Sequence, residues 1–392
     1  MRRNPAFDPK QFLQQQWQKT PLFLPGFLQD YLDPLSADEL AGLACEESVE
    51  SRLVRRHGVR DWSLEHGPFT EQLLQDLPAE NWTLLVQAVD LWEDQVGILK
   101  ELFNFLPSWR VDDVMVSFAT PGGGVGPHFD YYDVFLVQGD GQRTWQVGAC
   151  SASGLRVDET SGLALLDEFK AEAEYQLNPG DVLYLPPGFA HWGEAITPSF
   201  CYSVGFRAPS VGEMLAGFTD YLLPEANPAQ RFTDTGREPA ESCGEIKPEN
   251  LENAYRSTLA SLADEQRFRI WFGCHVTEPK YPELIEISAV PLTPKDLQLR
   301  LNKGDEVQRA RTARFAYLKA PGSASVALFA DGKDFSVSQA NIQLINQLSE
   351  TSHLKKRILR SKELDKEGLD LLLKLLNLLN QGSLTLVTNY PA

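Results

Sequence analysis

The chain has 392 residues, with 36 Lys and Arg against 54 Asp and Glu and a formal net charge of −18. That is too long for one ordinary core and the wrong sign for a general nucleic-acid binder, whose basic groups must meet a phosphate backbone. Five scattered cysteines without a Cys-x-x-Cys pair exclude a disulfide framework and a cysteine zinc site, and no apolar run reaches signal-peptide or membrane-span length, so a soluble cytoplasmic protein is expected.

In chain order, ADELAGLACEESVESRLV (37–54) and TLLVQAVDLWEDQVGILKELFNFL (83–106) carry apolar residues at helical spacing and predict N-terminal helices that pack on the outside of a barrel. Between about residues 84 and 210 the text reads mainly as strands. VDDVMVSFA, DVFLVQG, QRTWQVG, GDVLYLPPG and FCYSVGFRA are short, rich in β-branched and aromatic residues, and bounded by Gly and Pro turns. This density predicts a double-stranded β-helix, a jelly-roll barrel, within an α+β chain. From residue 211 the pattern turns helical. GEMLAGFTDYLL is followed by a Pro-, Gly- and acid-rich linker (224–248) and by PENLENAYRSTLASLADEQRFRIWFGCHV, which reads as one long helix. The expected domains are 1–210, a helical region 211–278 of the kind that mediates dimerisation, and 279–392.

The last part has strand-like pieces, two helices and a closing strand after Gly382, a layout similar to a winged helix. Its basic run LKKRILR (354–360) suits either nucleic-acid contact or a solvated helix face; with 15 basic and 12 acidic residues over 281–392, the net of +3 favours the solvated face. The 21 basic and 42 acidic residues that remain put a net of −21 on the part before it, so an attracted partner would be basic.

The chemistry lies in PGGGVGPHFD (121–130). His128 and Asp130 are two apart, and i, i+2 side chains leave an extended strand on one face about 7 Å apart, so both can share a metal ion. A third ligand is available in His191, after the Pro-Pro-Gly turn of DVLYLPPGFAHWGE. Two histidines and one carboxylate form a facial triad that leaves open positions on Fe(II) for a co-substrate and dioxygen. PGGGVGPH lacks the Gly-Lys-Ser/Thr ending of a phosphate loop; its glycines suit close backbone approach at a barrel mouth, where side chains would obstruct a ligand. The co-substrate of such a site, 2-oxoglutarate, needs a buried cation for its distal carboxylate. Arg143 in GDGQRTWQVG can return alongside the His128–Asp130 segment and bind that carboxylate bidentately.

Alternation adds wall residues. If Ser117 points inward, so do Met115 and Asp113; if His128 and Asp130 do, so does Tyr132. Asp113 and Tyr132 would then line the substrate entrance, where a bound guanidinium would offset the cost of an inward carboxylate. The alternative is that Asp112 or Asp113 caps or pairs at the strand start. Ser203, two residues after Cys201, is a further candidate for the co-substrate pocket.

PGGGVGPHFDYYDVFLVQGDGQRTWQVG, GDVLYLPPGFAHWGE and YSVGFRAP, with FLQQQWQKTPLFLPGF near the start, resemble the Jumonji-C (JmjC) ribosomal oxygenases of the cupin superfamily, and more closely their bacterial branch, the ribosomal protein arginine hydroxylases. The likeness covers roughly residues 10 to 225. It implies Fe(II) on His128, Asp130 and His191, 2-oxoglutarate on Arg143 and Ser117, and O2 as the second co-substrate. It also implies a homodimer, a winged-helix-like C-terminal domain without DNA binding, and a basic ribosomal protein as substrate, an arginine of large-subunit protein sixteen hydroxylated at Cβ. Cys201 departs from the polar amide expected there. Two other readings remain at this point: a JmjC demethylase of methylated side chains, and a cupin sensor fused to a winged-helix nucleic-acid regulator.

Overall fold

A computed structural model describes residues 1–149, 156–157, 162–239, 241–320, 322–350 and 366–387. The chain forms two units, 1–208 and 209–392.

In the first unit the strands of the two main sheets are β1 (Leu22–Leu24), β2 (Ser51–Gly58), β3 (Asp61–His66), β4 (Trp82–Val86), β5 (Val111–Ala119) and β6 (Asp133–Gln138). They continue with β7 (Arg143–Gly148), β8 (Ala173–Leu177), β9 (Val182–Leu185), β10 (Ala190–Ala195) and β11 (Ser199–Phe206). The larger sheet runs β1-β9-β6-β11-β5-β4-β2-β3 and the smaller β8-β7-β10, all neighbours antiparallel. Their inner faces meet over Val134, Leu136, Trp145, Val147, Leu177, Leu183, Leu185 and Cys201, the dry interior of a jelly roll. Period-two alternation sends the intervening residues the other way. Val114, Val116, Phe135, Val137, Tyr184, Tyr202 and Phe206 pack against Phe12, Phe27, Leu40 and Phe103 from the N-terminal segments. Each such side chain, fully buried, contributes about 1.5–3 kcal/mol.

Helix α1 (Pro9–Gln15) opens with Asp8 accepting from the Lys10 and Gln11 amides and Pro9 in the first turn. Just past its end, Gln18 donates from its side chain to the fully buried Asp133, which also accepts from Tyr184 (2.6 Å) and Arg110 (3.1 Å). Helix α2 (Ala37–Ala44) starts in a Ser36–Glu39 capping box.

The two N-terminal segments expected as helices are different in the structure. After α2 the first becomes β2, and the second begins as β4, followed by short helical turns between 89 and 103. Thr83 to Val86 is buried on both faces, and a doubly buried strand has the same unbroken apolar text as a buried helix. Ala88, at φ 51°, then stops any regular continuation. These strands widen the large sheet to eight, and the barrel carries a β flank where helices were expected.

In the second unit α3 (Val211–Leu222) starts in a Ser210–Glu213 capping box. The single long helix expected over 248–276 is two, α4 (Pro248–Leu262) and α5 (Glu265–His275), because Asp264 turns its side chain to cap the Arg267 amide and restarts the helix. Strands β12 (Glu306–Arg309), β13 (Phe315–Lys319), β14 (Ser325–Ala330), β15 (Lys333–Ser338) and β16 (Leu384–Val387) form a three-stranded sheet, β13-β14-β15, and a β12–β16 pair. Helices α6 (Pro294–Lys303), α7 (Ile342–Glu350) and α8 (Lys366–Asn380) bury Leu297, Leu344, Leu348, Leu375 and Leu379 with Phe315 and Leu328 of the sheet. Gly273 of α5 lies under the Phe329 ring, where a Cβ would come within 2.3 Å of it. The basic run 354–360 lies outside the described residues. Among the described residues no helix is long and apolar enough to cross a membrane.

Candidate metal and co-substrate site

His128 stands on no regular strand. It forms an isolated antiparallel bridge with His191 of β10, its N–H donating to the His191 carbonyl (3.0 Å) and its carbonyl accepting the His191 N–H (2.8 Å). Gly188 of the Pro-Pro-Gly turn donates to the Asp130 carbonyl (2.8 Å). Three side chains from two distant segments are thus set by backbone pairing, and one ligand atom from each of His128, Asp130 and His191 lies within 4.8 Å of the others.

The protonation pattern suits a metal. Each Nδ1 sits 3.0 Å from a carbonyl oxygen, that of Gly126 for His128 and that of Phe189 for His191. A carbonyl only accepts, so Nδ1 carries the proton and the Nε2 lone pair is left for an ion. Burial, then the neighbouring His128, push the His191 pKa down to about 4 against the opposing pull of Asp130, so this imidazole is neutral at pH 7. His191 Nε2 and Asp130 Oδ2 are 3.8 Å apart, too far to hydrogen-bond and near enough to share one ion. Two imidazoles and a carboxylate on one side leave the other coordination positions to ligands from outside the protein.

The glycine run before His128 works differently from the expectation that it keeps a ligand path open. A Cβ on Gly123 would lie 2.2 Å from the Trp82 carbonyl oxygen, and one on Gly124 would lie 2.1 Å from that of Gly193. The close approach is to the protein's own backbone, which wedges the loop between β4 and β10. Arg56 closes the wedge from outside, pairing with Glu194 (2.5 Å), donating to the Gly122 carbonyl (3.3 Å) and lying over the Trp192 ring.

At the start of β7, whose Val147 pairs with His191, Arg143 is 5 % exposed. Its Nε donates to Ser199 Oγ (3.2 Å), Nη1 to Ser117 Oγ (2.9 Å), and Nη2 to the carbonyls of Ser199 (2.8 Å) and Ser117 (3.4 Å). Those four bonds use four of the five guanidinium N–H groups. No carboxylate of the described residues forms an ion pair with it, and burial alone draws its pKa down. A buried cation supplied only with neutral acceptors calls for an anion from outside. Cys201 faces the same space opposite Ser117; burial pushes its thiol up, partly offset by the Arg143 charge, and the Ser203 hydroxyl hydrogen-bonds it. Ser203 lies one alternation step along β11 from Cys201, opposite Met115.

Asp113 is also 5 % exposed, and its Oδ2 accepts from the Gln87 amide at 2.8 Å. A Cβ on Gly205 would lie 3.9 Å from both Asp113 Oδ1 and the Tyr132 ring, so these two side chains flank one spot beside β11. Tyr132 is 44 % exposed; partial desolvation of its hydroxyl and the charges of Asp130, Asp113 and Asp112 hold its pKa above the ordinary phenol value. Asp112 makes the strand-start pairing, with Arg207 at 2.9 Å. Sequence reading missed Ser199, which alternation places on the face of Cys201 and Ser203 and could have found. It also missed Gln87, hidden in a segment read as helix.

The sequence matches the JmjC domain family over residues 98–214 and the ROXA-like winged-helix family over 260–384. It is 39 % identical over 298 residues to the ribosomal protein uL16 3-hydroxylase of Escherichia coli K12, covering 76 % of this chain and 79 % of that one. It is 34 % identical over 280 residues to a probable ribosomal oxygenase of Haemophilus influenzae, covering 67 % and 66 %. The crystal structure of E. coli YcfD superposes with a TM-score of 0.86 at 33 % identity over 98 % of this chain and 100 % of that one. The ribosomal oxygenase YcfD in complex with cobalt and 2-oxoglutarate gives 0.82 at 33 % identity over 97 % and 98 %.

Proposed function

The chain belongs to the JmjC ribosomal oxygenases, and on that premise we propose that it is an Fe(II)- and 2-oxoglutarate-dependent oxygenase that hydroxylates an arginine side chain, at Cβ, of the large-subunit ribosomal protein uL16. One observation carries the reading: a metal-competent His128, Asp130 and His191 cluster stands on the same β7–β10 strand pair as a buried Arg143 that has no carboxylate among its described partners. Bound iron and 2-oxoglutarate supply the oxidation, in which dioxygen converts the co-substrate to succinate and carbon dioxide and places one oxygen atom on the substrate carbon.

The protein's own part is positioning. His128, Asp130 and His191 would hold the metal, and Arg143, with Ser117 and Ser199 keeping its fork in place, would bind the distal carboxylate. Leu136, Leu183, Trp145 and Val147 form a dry cluster between the two sheets. Asp113 takes the substrate guanidinium at the mouth and Tyr132 lines the approach.

The substrate is a basic protein drawn to an acidic catalytic unit, and a ribosomal substrate would put the enzyme in the cytoplasm. We also propose a homodimer through the helical region: Leu251, Tyr255 and Leu259 recur every four residues along α4 and are all exposed, a stripe that a second copy would cover. No DNA-binding role is assigned to the second unit. The test is intact mass spectrometry of uL16 incubated with the enzyme, Fe(II) and 2-oxoglutarate. A mass gain of one oxygen on an arginine that requires 2-oxoglutarate supports the reading. Formaldehyde release from a methylated peptide without oxygen retained would identify a demethylase instead.

A further inference from the structure

We propose that Leu166, on the segment 162–172 that leads into β8, is a positioning residue of the metal site: packed on Phe129 and Ala190, it braces His128, Asp130 and His191 and so sets how tightly they hold an ion. The inference rests on the reading of those three residues as the metal ligands, and it adds what fixes them beyond their own pairing.

The ligand-bearing segment is short of regular structure. His128 and Asp130 are tied by backbone bonds to His191 and to the Gly188 turn. A further bond comes from outside that pair: the Leu166 N–H donates to the Pro127 carbonyl at 2.9 Å. Proline has no N–H, so this carbonyl is the one hydrogen-bonding group that Pro127 offers. Side-chain packing repeats the link. Phe129, between the two ligands, turns its ring away from them into a small buried cluster with Leu166 and Ala190, beside the half-buried Phe169. Phe129 adjoins His128 and Asp130, and Ala190 adjoins His191. Leu166 therefore touches the immediate neighbours of all three ligands at once.

The bracing segment is itself anchored on both sides of the loop that it crosses. Arg60, at the β2–β3 turn, donates to the Asp167 carbonyl. A Cβ on Gly126, whose carbonyl fixes the His128 tautomer, would lie 3.1 Å from Leu165 Cδ2 and equally near the Trp62 ring. At the other end the Glu172 N–H donates at 2.8 Å to the carbonyl of Val147, the residue paired with His191, and a Cβ on Gly148 would lie 2.2 Å from the Lys170 carbonyl oxygen. A side chain held between such supports cannot follow a shifting loop. Emptying the Leu166 position leaves a void that its surroundings fill only in part. Phe129 would move into it, carrying His128 and Asp130 with it relative to His191, and ligands tolerate only about 0.5 Å of such displacement.

The experiment titrates Mn(II), followed by the electron paramagnetic resonance signal of the free ion, into the full-length metal-free enzyme. It compares the wild type with Leu166→Ala, Leu166→Met, His128→Ala and, as a control, Leu40→Ala, which empties an equally buried position on α2. Thermal denaturation establishes that each variant is folded at the titration temperature. In Leu166→Ala the Kd for Mn(II) is expected to rise about tenfold, as loss of a group that orients metal ligands costs. Leu166→Met, which keeps the volume, is expected to stay within about threefold of the wild type, and Leu40→Ala to match it. In turnover with 2-oxoglutarate and a uL16 peptide containing the target arginine, the Fe(II) concentration for half-maximal rate should rise by the same factor in Leu166→Ala, with the peptide KM at saturating Fe(II) unchanged. A merely structural role would lower Tm in both alanine variants and treat their metal affinities alike. An unchanged Kd in Leu166→Ala, an equal loss in Leu40→Ala, or a Leu166→Met variant as weak as Leu166→Ala overturns the inference, while loss of Mn(II) binding in His128→Ala leaves the ligand assignment standing. Wild-type affinity in His128→Ala removes that assignment and the inference with it. Should Leu166→Ala fail to fold, Leu166→Val, with a smaller void, is judged by the same criteria.

Discussion

Arg143 and Asp113, the two ends of the proposed site, are equally buried, each 5 % exposed, yet they are supported by different kinds of structure. Arg143 rests on hydroxyls and carbonyls of Ser117 and Ser199, residues of neighbouring strands in continuous register. Asp113 accepts from the side chain of Gln87, on a turn with a strained residue beside it. On the proposed roles, the difference reflects the ligand. A small anion of fixed shape is best met by a fork that sheet hydrogen bonds hold still, whereas a side chain arriving on a protein must be met at a mouth that can adjust.

Breaking both ends together gives the largest effect. His128→Ala or Asp130→Ala should abolish product formation and weaken Mn(II) binding in a titration, since neither end acts without the ion between them. Arg143→Ala should raise the 2-oxoglutarate concentration for half-maximal rate by roughly a hundredfold, as loss of one partner of a buried charge pair does, with the peptide KM unmoved in the same assay. Asp113→Asn should do the reverse, raising the peptide KM by roughly thirtyfold and leaving the 2-oxoglutarate dependence alone. If either substitution moves both constants, the two ends are not independent. The smallest effect is expected for Tyr132→Phe, about threefold on peptide KM, because a half-exposed hydroxyl can exchange its partner for water.

The barrel strands and the metal triad are legible in the sequence because both obey local rules. Strand periodicity and turn residues mark β5, β6, β7, β9 and β11 closely, and a His-x-Asp pair before a later histidine is a spacing with chemical meaning. What escapes depends on three-dimensional neighbours. Nothing local distinguishes Thr83 to Val86 as a strand from a helical reading, since burial on both faces erases the period. Gln87 is lost with it, and its hydrogen bond exists only because β5 brings Asp113 alongside. Gly123 and Gly124 are legible as sites of close approach, but the sequence points that approach toward a ligand, because the carbonyls they meet come from strands about forty residues upstream and seventy residues downstream.

The reciprocal backbone bonds between His128 and His191 bear on how the enzyme meets its iron supply. Sheet pairing closes the loop between the two residues, so an arriving ion finds a preassembled chelator and its binding energy is not consumed in ordering the chain. Folding and metal loading are then separate events. A cell short of iron would keep a reserve of folded, idle protein that regains activity when ferrous ion returns, without new synthesis.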